Sequence, residues 1–282
     1  MPAAHMKEIV GPAAAAGRGV GAFNVIGIEH AEGIVAGAEA ARAPVILQVS
    51  QNCVAYHGAL GPLGRACAAI ASSAAVPVAL HLDHVTSTEL VAEAAGLGFG
   101  SVMCDASALP YDQNVRATAA AAQWCHEWGM LVEAELGEIG GKDGVHSPGA
   151  RTDPDEAARY VDATGVDALA VAVGSSHAML TRDAVLDTAL IARIHSAVSV
   201  PLVLHGSSGV PDVMLAAAIS AGMTKINVAT QLNKVFTAAV RECLGADAAQ
   251  VDPRRYGAAG RDAVVLEVTR LLRVIGAVGA IA

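Results

Sequence analysis

Five residues of this 282-residue chain combine reactive chemistry with a repeated setting: His81, Asp83, His84, His177 and His205. They fall at or just past the ends of three apolar runs, PVALHLDHV (Pro77 to Val85), LAVAVGSSHAM (Leu169 to Met179) and PLVLHGSSGVP (Pro201 to Pro211). A strand buried on both faces cannot leave such groups unpaired, so each run reads as a strand whose C-terminal end opens into a site. Neutral imidazoles from separate strands can converge on one Zn²⁺, and three protein nitrogens leave a coordination position for substrate. One histidine in such a place is ordinarily a hydrogen-bonded core or loop residue. Three in the same setting, His84, His177 and His205, point to a catalytic metal.

Acids accompany them. Asp83 directly precedes His84, so strand alternation sends the two to opposite faces unless the strand has already ended. At a strand mouth both can turn inward, with His84 on the metal and Asp83 available as a general acid/base; the alternative makes Asp83 a helix cap. Asp105 and Glu135 end neighbouring strands and either hold the second nitrogens of the histidines or bind the metal in another position. HGSSG (His205 to Gly209) and NVAT (Asn227 to Thr230) join small residues to helix starts, where backbone N–H groups bind phosphate. Lys225 is either a Schiff-base lysine or a structural ion pair.

These groups lie on a chain that reads as eight strands. Apolar runs mark them at Gly19 to Val25, Pro44 to Ser50, Pro77 to Val85, Ser101 to Ser107, around Glu133 and Glu135 (which share one face), Asp167 to Val173, Pro201 to His205 and Thr224 to Thr230. Helical patterns lie between: Glu29 to Arg42, Leu60 to Ala75, Thr86 to Ala95, Asp112 to Trp128, Pro154 to Ala163, Asp183 to Ala197, Val213 to Ala221 and Gln231 to Leu244, then a terminal Gly260 to Ile275. Eight alternations predict an α/β TIM (β/α)₈ barrel with a C-terminal helical extension, its chemistry at the strand C-termini. No linker divides it, so residues 1–282 form one domain. The Gly-rich stretch Gly137 to Pro154 is either a lid or a surface insertion.

Composition limits the function. A net charge of −9 without a basic run excludes a nucleic-acid partner, although local backbone amides can still bind a phosphorylated small molecule. No apolar run suits a membrane span and the N-terminus lacks a signal-peptide core, so a soluble cytoplasmic protein is expected. The five cysteines are scattered without CxxC spacing, which suggests reduced packing residues.

The chain also resembles the class II, metal-dependent ketose-bisphosphate aldolases, the fructose- and tagatose-bisphosphate enzymes. The resemblance runs nearly end to end, through AFN at Ala22, HLDH at His81, SVMCDAS at Ser101, VEAELGEIGG at Val132, GSSHAM at Gly174, PLVLHGSSG at Pro201, KINVAT at Lys225 and DPRRY at Asp252. It implies that His84, His177 and His205 bind zinc, that Asp83 transfers protons, and that Asp105 and Glu135 match a secondary metal location. It further implies a dihydroxyacetone-phosphate site at Gly206, Ser207 and Ser208 with Asn227, Val228, Ala229 and Thr230, lined by Asn24, Ser50 and Ala178. The same resemblance implies a monovalent cation (Na⁺ or K⁺) near the phosphate in some members, and a homo-oligomer, dimer or tetramer. The implied reaction is reversible cleavage of a phosphorylated ketose to dihydroxyacetone phosphate and an aldehyde, through an enediolate that Zn²⁺ stabilises.

Three positions depart from the family pattern. Ala178 replaces the usual Gly after His177, which would crowd or shift a phosphate amide. The loop reads GGKDG in place of a Glu-Asp pair, leaving Asp143 as the candidate second acid/base. Ala229 stands where many fructose-bisphosphate enzymes have Asp or Asn and resembles the tagatose branch. A non-catalytic sugar-phosphate-binding homologue and a zinc hydrolase on the same barrel are the alternatives.

Overall fold

The computed structural model describes residues 3–136 and 150–276. Its strands are β1 (Val20–Asn24), β2 (Val45–Ser50), β3 (Val78–Val85), β4 (Ser101–Cys104), β5 (Leu131–Glu135), β6 (Ala168–Ala170), β7 (Leu202–Leu204) and β8 (Met223–Val228). The helices are α1 (Met6–Ala15), α2 (Ile28–Ala41), α3 (Gln51–His57), α4 (Gly61–Ser73), α5 (Thr88–Gly96), α6 (Tyr111–Glu127), α7 (Pro154–Thr164), α8 (Thr188–Ala197), α9 (Asp212–Ser220), α10 (Thr230–Ala246) and α11 (Pro253–Val274). The strands pair in parallel in chain order and β8 returns to β1, closing the barrel. The expected α/β barrel with a C-terminal helical extension is the observed fold.

Strand alternation sorts the core into two regions. Along β3, Leu80 and Leu82 belong to the large cluster beneath the helices, whereas Ala79 belongs to the inner cluster with Val20, Ala22 and Ile46. Helix α1 seals that inner cluster with Met6, Ile9, Val10 and Ala13, so the bottom of the barrel is plugged. Above the plug the interior turns polar: Gln48, His81, Glu133 and Lys225 are all buried. The remaining open end is the C-terminal mouth, where the chemistry was expected.

Several boundaries differ from the sequence expectation, each for a local reason. Helix α1 was not anticipated; its signal is a capping box in which the Lys7 N–H donates to His5 Nδ1 and the His5 N–H to Glu8 Oε2. Helix α3 was also missed, and Ser50 caps it by accepting from the Cys53 N–H. Strand β6 stops at Ala170 because Thr152 takes over the next residues, its hydroxyl accepting from the Ala172 N–H and its own N–H donating to the Ala172 carbonyl. Helix α8 begins at Thr188 and not at Asp183, since Asp187 caps it through the Leu190 N–H while Asp183 accepts from the Thr181 hydroxyl. Helix α11 starts earlier than predicted, with Asp252 at its cap and Pro253 in its first turn. It lies close on α2, where a Cβ on Gly37 would fall 2.8 Å from Val268 Cβ.

Candidate active site

Asp83 and His84 both reach the mouth, but not because β3 has ended. The strand continues to Val85 with a register shift against β4 between Leu82 and Val85, and His84 adopts a left-handed conformation with φ of 51°. Such an irregularity re-aims one side chain, so neighbours that alternation would separate line the same cleft.

Three rings meet there. His84, from this kinked strand end, His177, from the loop after β6, and His205, just past β7, have ring centroids 5.0–5.5 Å apart and planes steeply inclined to one another. One nitrogen from each lies within 4.8 Å of the others. Carboxylates fix two of the rings: Asp105 Oδ2 is 2.8 Å from His84 Nδ1, and Glu133 Oε1 is 2.9 Å from His205 Nε2. With those nitrogens protonated, the lone pairs sit on His84 Nε2 and His205 Nδ1. This second-layer arrangement is what a metal-binding imidazole requires, and the donor set fits Zn²⁺.

Asp105 is itself braced by the Ser107 hydroxyl at 2.6 Å. Glu135 is buried at the end of β5, its carbonyl accepting from Asn114 Nδ2, and it does not line the cleft. The carboxylate that holds a ring from β5 is Glu133, which sequence reasoning placed on the correct face without assigning it a task. Glu133 Oε2 also accepts from Lys225 Nζ at 2.7 Å, and Lys225 is fully buried. That ion pair answers the earlier alternative for Lys225: it is beneath the cleft and engaged. His81, Asp83 and Glu133 form a second compact group, but the Lys225 ammonium already supplies its cation.

Burial raises the pKa of Asp83, yet His84, His205, Lys225 and His81 together outweigh it, and the group stays a carboxylate below its ordinary range. Asp83 Oδ1 is buried without a hydrogen-bond partner among the described residues, as is Gln48 Oε1. Both residues line a cleft of about 660 Å³, so a polar ligand there would meet buried acceptors. His81 is different: burial first, then Lys225, lowers its pKa from 6.5 to about 3, while Ser101 Oγ holds Nδ1 at 2.8 Å. The unfolded chain takes up that proton near 6.5 and the folded chain does not until about 3. Stability of the metal-free protein should therefore decline as pH falls below 6.5, ahead of the carboxylates. Denaturant midpoints measured against pH check this, and a midpoint that stays flat until the carboxylate range would show a charged native His81.

The residues that the sequence assigns to phosphate come from the ends of β7 and β8 and the start of α10. Gly206 has φ of 67°, and a Cβ there would sit 2.5 Å from the Ser176 carbonyl oxygen. Ser208 Oγ accepts from the Ala229 and Gln231 N–H groups and so caps α10. Ser208, Asn227, Ala229 and Thr230 line the cleft, as do Asn24, Ser50, Ala178 and Gly206. Ser207 turns its hydroxyl to the Leu204 carbonyl, and the Val228 side chain packs in the outer core. Asp143 lies outside the described residues.

Ala178 keeps the left-handed backbone that glycine would favour, with φ of 57°. Such a conformation costs a side-chain-bearing residue ~1–2 kcal/mol, partly offset because glycine enlarges unfolded-state entropy. Ala178→Gly should thus stabilise the protein by up to ~1 kcal/mol, raising Tm by about 1–3 °C. A lower Tm for that variant would contradict strain at this position.

Comparison with known proteins agrees with this architecture. A family model described as "Fructose-bisphosphate aldolase class-II" matches residues 4–280. The chain belongs to the class II fructose-bisphosphate aldolase family. It is 39% identical to a fructose-bisphosphate aldolase of Geobacillus stearothermophilus, with 99% of both chains covered. It is also 39% identical to one of Thermus caldophilus, covering 96% of this chain and 97% of that one. Among solved structures, the YdjI aldolase of Escherichia coli K12 superposes with a TM-score of 0.87 at 33% identity, over 99% of this chain and 100% of the other. This chain is accordingly an aldolase, a carbon–carbon lyase of a family that acts on phosphorylated sugars and is in general zinc-dependent. No described helix is long and apolar enough to cross a membrane.

Proposed function

We propose that this aldolase is zinc-dependent and cleaves a fructose- or tagatose-bisphosphate-like ketose to dihydroxyacetone phosphate and an aldehyde. The observation that carries the reading is the convergence of His84, His177 and His205 beside the buried, unpartnered Oδ1 of Asp83. These three histidines would hold the ion, which when bound supplies an electrophile for charge developing at the ketose carbonyl. Asp83 takes the hydroxyl proton of the departing aldehyde portion, for which an ionised carboxylate already facing the cleft is suited. Gly206 and Ser208, past the end of β7, and Thr230, at the N-terminus of α10, orient the phosphate next to the transferred carbons. Asp105 and Glu133 keep two of the imidazoles in register.

A screen of ketose mono- and bisphosphates with added Zn²⁺, scored by triose phosphate released, tests this. Release that a chelator abolishes and Zn²⁺ restores is expected. Inorganic phosphate without triose would make the protein a hydrolase, and a ligand-induced melting shift without turnover would make it a binding protein.

A further inference from the structure

The three histidines are carried differently. His84 and His205 sit at or just past strand ends, whereas His177 belongs to residues 171–187, which form neither helix nor strand. Arg182, further along that segment, pins it to the loop after β7. Its Nε and Nη2 both donate to the Val210 carbonyl, at 3.1 and 2.7 Å, and Nη2 also donates to Asp212 Oδ1 at the start of α9. Arg270 of α11 donates to the other oxygen, Asp212 Oδ2, and to Glu267, which accepts as well from Gln231 Nε2 at 3.0 Å. Gln231 in turn donates its N–H to Ser208 Oγ, so one network runs from the His177 segment to the start of α10. Packing between the two loops is close: a Cβ on Gly209 would fall 2.5 Å from Met179 Sδ.

We propose that Arg182 and Asp212 are positioning residues for His177, holding its segment against the loop after β7 so that the imidazole stands where the other two rings meet the ion. The proposal rests on the zinc reading above. The side chains of Arg182 and Asp212 are 25% and 39% exposed, and ion pairs in such places add little to global stability. A planar guanidinium that donates to a carbonyl and a carboxylate at once does fix geometry. Breaking it should therefore show in metal affinity and hardly at all in melting. The bond from Lys234 Nζ to the Leu180 carbonyl, at 2.7 Å, remains and limits the displacement. The expected loss is accordingly about tenfold, the lower end for removing the support of a metal-binding side chain.

The test titrates the metal-free protein with Zn²⁺ against a chromophoric chelator, alongside melting curves. Arg182→Met and Asp212→Asn should each weaken zinc binding about tenfold with Tm close to the parent's, and the double variant should bind no worse than either, because both break one network. Arg261→Met breaks a partly exposed pair with Glu32, neither of which lines the cleft, and should bind zinc as the parent does. Should Arg182→Met melt far below the parent, Arg182→Lys decides: it keeps the charge without the fork and should still bind zinc more weakly. Parent-like affinity in either single variant overturns the proposal, as does an equal loss in Arg261→Met or losses that multiply in the double variant. If His205→Ala binds zinc as tightly as the parent, the three-histidine site itself fails and this proposal with it. Affinity that depends on His205 but not on Arg182 leaves that site standing and sinks only the anchor.

Discussion

Asp83→Ala is expected to retain Zn²⁺ and lose cleavage, by roughly 10²–10⁴-fold in kcat, the usual contribution of a positioned acid/base. The separation follows from geometry. Three imidazoles make the compact donor set, and Asp83 stands beside it, with Oδ2 4.0 Å from His84 Nε2 and Oδ1 unpartnered. Removing it deletes the proton acceptor but none of the three nitrogens. His205→Ala is the contrasting variant, because it deletes a nitrogen and should remove metal and activity together. Zinc content by atomic absorption, measured with kcat and KM, distinguishes the two. If Asp83→Ala cleaves at the parent rate, the proton passes elsewhere; if it loses zinc as His205→Ala does, Asp83 belongs to the metal's own shell.

The sequence made the barrel legible because its strands are buried on both faces and end abruptly in polar residues. An apolar run such as PVALHLDHV suits a strand buried on both faces, and eight of them at regular intervals leave few folds. The same rule found the three histidines. What it could not supply was any feature set by backbone irregularity. Alternation alone puts Asp83 and His84 on opposite faces, and only the positive φ at His84 brings them together. The polar middle layer was hidden for a related reason: Glu133 and Lys225 are far apart in sequence and on strands that do not pair, and only closure of the barrel brings their side chains together across its interior. Helix α1 was passed over because its cap is a histidine, which seldom plays that part.

That middle layer carries the second large expectation. Glu133 accepts from His205 with one oxygen and from Lys225 with the other, and all three side chains are almost wholly buried. Burial raises its pKa, but Lys225 foremost, then His205 and His81, hold it well below the usual 4.5. Its contribution to stability is therefore complete above that value and lost as pH falls through the lower folded pKa. Glu133→Gln leaves the Lys225 ammonium buried and unpaired, which should cost about 3–5 kcal/mol of stability. It also exchanges the charged partner of His205 for a neutral one, which should weaken zinc binding roughly 10–100-fold. Adding Lys225→Met separates the effects: the double variant has no unpaired charge and should regain most of the lost stability, yet His205 still lacks its carboxylate. Denaturant melts and zinc titrations on the two variants decide it. Recovery of zinc affinity along with stability would mean that Glu133 serves only to neutralise the lysine, whereas affinity that stays low in a restored fold assigns it the orientation of His205.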